Sequence, residues 1–149
     1  MKSKFLKKNH LLLELMYNTY FNTILLVDDD YVNNFVTERL LRKSGLAREI
    51  KAVRNGEDAL TYLAESKNKL PELILLDINM PEMDGINFLK YFKKMILDKN
   101  IRIILLTGTV TPEYINILNN LGFPDIIEKP FTDQKLQNIL KKDLEAKRA

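Results

Sequence analysis

Three short apolar runs set the frame of this chain: residues 24–27 (ILLV), 73–76 (LILL) and 101–106. Each is too short for a helix, rich in branched side chains and free of strict alternation, which predicts strands buried on both faces. Each ends abruptly in a polar residue: Asp28-Asp29-Asp30, Asp77 and Thr107. Two weaker runs, 50–53 with Lys51 inside it and 125–128, predict a sheet-edge strand and a short last strand.

Helical spacing fills the intervals. Phe35, Val36, Leu40 and Leu41 recur at that spacing, and Gly45 supplies the stop. Ala59, Leu60, Leu63 and Ala64 mark a second helix, and Ile86, Phe88, Leu89 and Phe92 a third. Pro112 opens a fourth, with Ile115, Leu118 and Leu121, and Thr132 caps a fifth through Leu136, Ile139, Leu140 and Leu144. Five βα units predict an α/β fold, a doubly wound parallel sheet with helices on both faces.

Composition narrows the chemistry. At 149 residues, 46% hydrophobic and 29% charged, the chain suits one soluble domain with a real core. With no cysteine and one histidine, His10, thiolate sites, disulfides, cysteine nucleophiles and His-built metal centres are excluded. Any metal is therefore expected to be a hard, oxygen-preferring ion such as Mg²⁺. The net charge of +3 comes from the first 22 residues, where Lys2, Lys4, Lys7 and Lys8 face Glu14 alone. The rest is balanced, so the pI of 9.0 argues little for nucleic-acid binding. Residues 1–22 read as a dispensable basic extension with Met16 as an alternative start, and residues 23–147 as the domain. An amphipathic membrane-contacting helix with Leu12, Leu15, Met16 and Thr19 near one face is the other reading of the extension. The apolar run 11–13, interrupted by Glu14, is too short to span a bilayer. The fifth helix closes the chain, so no output domain is expected.

In open α/β sheets, ligands bind beyond the carboxyl ends of the strands. That edge should gather Asp28, Asp29, Asp30, Asp77, Thr107 and Lys129. Clustered carboxylates repel, and each raises the pKa of its neighbours unless a cation joins them. A divalent ion held by Asp29 and Asp77, with Asp28 acting directly or through water, would relieve this. An ionised aspartate can attack phosphorus, with the metal and Lys129 neutralising charge on the transferred oxygens. Taken singly, each residue has a plainer explanation: Asp30 as a helix cap, Asp77 as a turn residue, Thr107 as packing, Lys129 as solvated surface. Their joint placement at the ends of the right strands is what points to a site.

These residues carry a family resemblance. ILLVDDD (24–30), LILLDINMPEMDG (73–85), IILLTG (103–108) and EKPF (128–131) resemble the response-regulator receiver domain of two-component signalling, of the stand-alone type similar to the chemotaxis response regulator. The resemblance covers residues 23–144 and implies a flavodoxin-like fold of strand order 2-1-3-4-5. It implies Asp77 as phosphoacceptor, Asp28 and Asp29 as the acidic pair, and Mg²⁺, or Mn²⁺ in its place, as the ion. Asn79 matches the position whose backbone carbonyl completes the metal shell and whose side chain tunes dephosphorylation. Thr107 matches the switch hydroxyl, Thr109 a second tuning position, and Gly85 the tight turn before the third helix. Lys129 matches the family's lysine, and the Lys129-Pro130 bond is expected to be cis. Ile126 departs from the pattern, standing where the family places Tyr or Phe. The inward swing of that aromatic then gives way to a smaller packing change or is lost. Gly108, where Ala is usual, leaves the site open.

The implied function is a cytoplasmic single-domain response regulator that catalyses its own phosphorylation and slow dephosphorylation. Its expected partners are a sensor histidine kinase or histidine phosphotransfer protein and a downstream protein target, met through the fourth helix, fifth strand and fifth helix. No nucleic acid and no transmembrane segment are expected, and the protein should be a monomer or a phosphorylation-dependent dimer. The alternatives are a receiver-like interaction module that takes no phosphate, and a haloacid-dehalogenase-type phosphatase, whose Asp-x-Asp motif Asp28 and Asp30 fit alone.

Overall fold

The structure, a computed structural model, describes residues 4, 7, 10, 21–66, 68–95 and 100–148, with side chains beyond 142 left aside. The readings placed on 11–19, including Met16 and the amphipathic face, fall outside the described residues, as does the side chain of Leu144. Lys4, Lys7 and His10 lie on helical backbone and are exposed.

Among the described residues from Phe21 on, strands and helices alternate: β1 (Phe21–Val27), α1 (Tyr31–Ser44), β2 (Ala47–Val53), α2 (Gly56–Glu65), β3 (Leu73–Asp77), α3 (Gly85–Lys94), β4 (Arg102–Thr107), α4 (Pro112–Leu121), β5 (Ile126–Glu128) and α5 (Asp133–Arg148). All four strand pairings are parallel, in the order β2-β1-β3-β4-β5. The fold is therefore the flavodoxin-like doubly wound sheet that the resemblance implied.

The apolar strands are fully apolar because both faces are covered. Leu25, Val27, Ile74, Leu76, Ile103 and Leu105 pack with Ala59, Leu63, Phe88, Leu89 and Leu118 from α2, α3 and α4. Their neighbours Ile24, Leu26, Leu73, Leu75, Ile104 and Leu106 pack with Leu41, Leu136 and Leu140 from α1 and α5. The two-residue period of a strand thus splits each run between two cores. Truncating a residue such as Leu75 to Ala would cost about 2–5 kcal/mol.

Helix ends follow their local chemistry. Asp30 caps α1, accepting from Val32 N and Asn33 N. Asp84 caps α3 through Asn87 N, and Thr132 accepts from Lys135 N at the start of α5. Gly45 ends α1 at φ 69°, and Gly122 ends α4 at φ 86°.

The helices form where the spacing placed them, but not every apolar position faces inward. Phe35 and Val36 lie outside the core, 54% and 47% exposed, and Ile115 is 41% exposed. The inward line of α1 is instead Asn34, Thr37 and Leu41. The reason is polar: Asn34 Nδ2 donates to Asp28 O (2.8 Å) and more weakly to Val53 O (3.4 Å), serving the ends of two strands. β1 and β2 also begin earlier than their apolar runs, because Phe21 pairs with Ala47 in register.

Two glycines separate two kinds of constraint. A Cβ on Gly45 meets open space, so only its left-handed backbone resists substitution; a Cβ on Gly85 would lie 2.7 Å from Asp77 O and 2.8 Å from Ile78 Cα. Equilibrium urea unfolding should find Gly45→Ala costing about 1 kcal/mol. Gly85→Ala should cost clearly more, since backbone must move. Equal losses would contradict this distinction.

Candidate functional site

The carboxyl edge of the sheet gathers the side chains that the strand order placed there. β1 delivers Asp28 and Asp29, β3 ends on Asp77, and Lys129 follows β5 directly. One ligand oxygen from each of Asp28, Asp29 and Asp77 lies within 4.8 Å of the others. Lys129 Nζ stands 3.2 Å from Asp28 Oδ2 and 3.2 Å from Asp77 Oδ1, so one ammonium bridges two buried carboxylates.

Each group is held from behind. Asp28 Oδ1 accepts from Asp30 N (2.9 Å), and the Asp28 backbone is tied to Val53 O and to the Asn34 amide. Asp77, 3% exposed, accepts from Asn79 N at 3.2 Å. The loop after Asp77 turns back through Gly85 N–Ile78 O, with Glu82 in the left-handed region at φ 66°. Lys129 N donates to Thr107 O at 2.7 Å, and the Lys129-Pro130 bond is cis, as expected.

The remaining sequence-predicted residues divide. Asp30 serves as the helix cap, the plainer of its two readings. Thr107 is fully buried, and its hydroxyl closes a local turn, donating to Thr109 O (2.9 Å) and accepting from Thr109 N (3.3 Å). Asn79 is exposed beside Asp77. A Cβ on Gly108 would meet nothing within 4 Å, so that approach is open. Ile126 is partly buried against the core of α2, α3 and α4. Asn34 was missed. A polar residue one place before Phe35-Val36 was the available signal, and the apolar pair hid it.

The electrostatics are those of an excess of negative charge. Burial, then the Asp28 charge, push the Asp77 carboxyl up to about 6, against the pull of Lys129 and the Asn79 N–H. Lys129 is raised above its ordinary value: burial opposes its charge, but Asp28 and Asp77 outweigh that. Three carboxylates against one ammonium form an all-oxygen donor set suited to a hard divalent cation, and not to a soft one.

Comparison with known proteins agrees with this geometry. Residues 24–141 match the response regulator receiver domain. Sporulation initiation phosphotransferase F of Bacillus subtilis is 33% identical over 124 residues, covering 83% of this chain and 94% of that protein. A two-component response regulator from Cytophaga hutchinsonii shares the fold with a TM-score of 0.76 at 27% identity, covering 85% of this chain and 98% of that one. The receiver domain of the histidine kinase CKI1 from Arabidopsis thaliana, complexed with Mg²⁺ and BeF₃⁻, gives 0.68 at 26% identity, over 84% of this chain and 90% of that one. Some relatives hold the matched stretch within far longer chains; it is 5% of hybrid signal transduction histidine kinase M of Dictyostelium discoideum.

The raised Asp77 carboxyl has a consequence for stability. The folded state binds this proton more tightly than the unfolded chain, whose value is 3.8, so stability falls as pH rises from about 4 to about 6. In metal-free buffer, Asp77→Asn should therefore be more stable than the parent by about 3 kcal/mol near pH 7.5, the equivalent of two pKa units. The gap should close toward pH 4. Paired urea titrations read it, and a gap independent of pH would contradict the charge assignment.

Proposed function

The chain belongs to the response regulator receiver domain family of two-component signalling, and from that premise we propose that Asp77 accepts a phosphoryl group from a phosphohistidine donor. The observation that carries this is the Asp77 carboxylate itself. It is buried, raised toward neutrality yet largely ionised at pH 7, and bridged by Lys129 to Asp28.

In the transfer, an Asp77 oxygen attacks phosphorus and forms an acyl phosphate. The donor's P–N bond breaks, and its electron pair leaves with the imidazole. Lys129, 3.2 Å from Asp77 Oδ1, neutralises charge on the phosphoryl oxygens. Mg²⁺, when bound by Asp28, Asp29 and Asp77 with the Asn79 carbonyl, supplies further neutralisation. The complex of a similar receiver domain with Mg²⁺ and BeF₃⁻ supports that choice of ion. Thr107 then exchanges the Thr109 carbonyl for a phosphoryl oxygen, with Thr109 and Asn79 tuning the lifetime. Ile126, partly buried against the core, leaves a smaller packing change beyond Thr107 or none.

An apolar face beside the site suits a protein donor. Tyr31, Val32, Phe35 and Val36 are exposed together on the first turns of α1, directly after the acidic run. We assign this face to a histidine kinase or histidine phosphotransfer protein, whose histidine must come within bonding reach of Asp77. The phosphatase alternative is disfavoured by Asp30, which caps α1 by accepting from Val32 N and Asn33 N through Oδ1 and forms no part of the Asp28, Asp29 and Asp77 cluster.

Intact-mass measurement after incubation with acetyl phosphate and Mg²⁺ should find one added phosphoryl group. Chelation of the metal or Asp77→Asn should abolish it, and Lys129→Met should slow it roughly 100-fold. Labelling that persisted in Asp77→Asn would overturn the assignment, and turnover of many phosphomonoester equivalents would favour a phosphatase.

A further inference from the structure

Lys129 is delivered to the site by an unusually thin piece of structure. β5 is three residues long and pairs only with β4, at the sheet's edge. Lys129 N–Thr107 O is its last bond to the neighbouring strand, and Pro130 has no N–H to offer. Helix α5 takes up its own backbone bonding only with Leu136 N–Thr132 O. Yet the Lys129 ammonium must be held within 3.2 Å of two carboxylates on two other strands.

One side chain spans this gap. Lys135, on the first turn of α5, donates from Nζ to Glu128 O (2.8 Å) and to Pro130 O (2.9 Å). Those are the carbonyls on either side of Lys129. A lysine in a first helical turn is opposed by the positive end of the helix dipole, so the local electrostatics of α5 do not ask for it there. Two backbone carbonyls receive its charge. Its own N–H is fixed by the Thr132 hydroxyl (3.2 Å), which sets where the chain of Lys135 begins.

We propose that Lys135 is a positioning residue: by clamping the carbonyls of Glu128 and Pro130, it fixes the backbone from which Lys129 reaches Asp28 and Asp77. Lys135 touches neither carboxylate and takes no part in bond making. Its effect on phosphoryl transfer rests on the role given above to Lys129, whereas its effect on the placement of Lys129 does not.

The test uses the full chain, labelled with ¹³C, and follows the ε-methylene protons of Lys129 by NMR. In the parent, the held ammonium should give two resolved ε-proton shifts. Lys135→Met should merge them while leaving the melting temperature close to that of the parent, and Lys135→Arg, which keeps two donors, should restore the splitting. If Lys135→Met unfolds too easily to be read, Lys135→Gln is read in the same way. Unchanged Lys129 signals in folded Lys135→Met or Lys135→Gln would overturn the proposal. Phosphorylation by acetyl phosphate should slow roughly tenfold in Lys135→Met, within the loss that a small misplacement can cause. In a Lys129→Met background the same substitution should slow it no further, since the two residues act as one unit. Equal slowing in both backgrounds would make Lys135 merely structural. A parent that takes no phosphoryl group would sink the function proposed for Asp77, and the methylene signals would still decide the clamp.

Discussion

Two buried carboxylates sharing one ammonium are the constraint on which the rest of this structure turns. Asp28 and Asp77 sit 4% and 3% exposed at the ends of adjacent strands, and Lys129 lies 3.2 Å from each. Such a group is unfavourable to bury unless every member is held and hydrogen-bonded. The surroundings meet that condition with Asp30 N and the Asn34 amide around Asp28, Asn79 N on Asp77, and Thr107 O behind Lys129. The parallel sheet provides the rigidity, because β1 and β3 are central strands packed on both faces. The charge stays unbalanced even so. Burial and Asp28 raise Asp77, and the ammonium only partly compensates.

That residual imbalance links fold to chemistry. A carboxylate held near the upper end of its range is a stronger nucleophile than a relaxed one, while remaining ionised near neutral pH. The same excess of negative charge favours a hard cation among the three aspartates and disfavours an approaching phosphoryl group without one. The apolar face of α1, with Tyr31, Val32, Phe35 and Val36, lies beside this edge and suits the protein donor proposed for it. Thr107 is closed on its own turn with Thr109; in the proposed transfer it would change partners there, with a smaller packing change at Ile126 or none.

Much of this was legible in the sequence, for a physical reason. Strands covered on both faces must be apolar throughout, so residues 24–27 and 73–76 announced themselves and their polar ends marked the site. Asp77, Asp28, Asp29 and Lys129 followed from strand order alone. What failed were features that depend on partners rather than periodicity. Phe21 and Ala47 enter the sheet because they pair with each other, and the polar residues after them, Asn22, Arg48 and Glu49, carry no apolar signal. Helical spacing marked α1 but not its inward face, because the burial of Asn34 makes sense only once the Asp28 and Val53 carbonyls stand beside it. Lys135 resembles any surface lysine until the backbone of Glu128 and Pro130 is seen under its ammonium.

The central claim is that the carboxylate at residue 77, among three clustered aspartates, forms the acyl phosphate. Borohydride reduces an aspartyl phosphate to homoserine, leaving a stable mark on the residue that carried the phosphoryl group. Peptide mapping by mass spectrometry after phosphorylation in Mg²⁺ and borohydride reduction is expected to find homoserine at position 77 alone. Homoserine at position 28 or 29, or none in a protein that had gained the phosphoryl mass, would contradict the account.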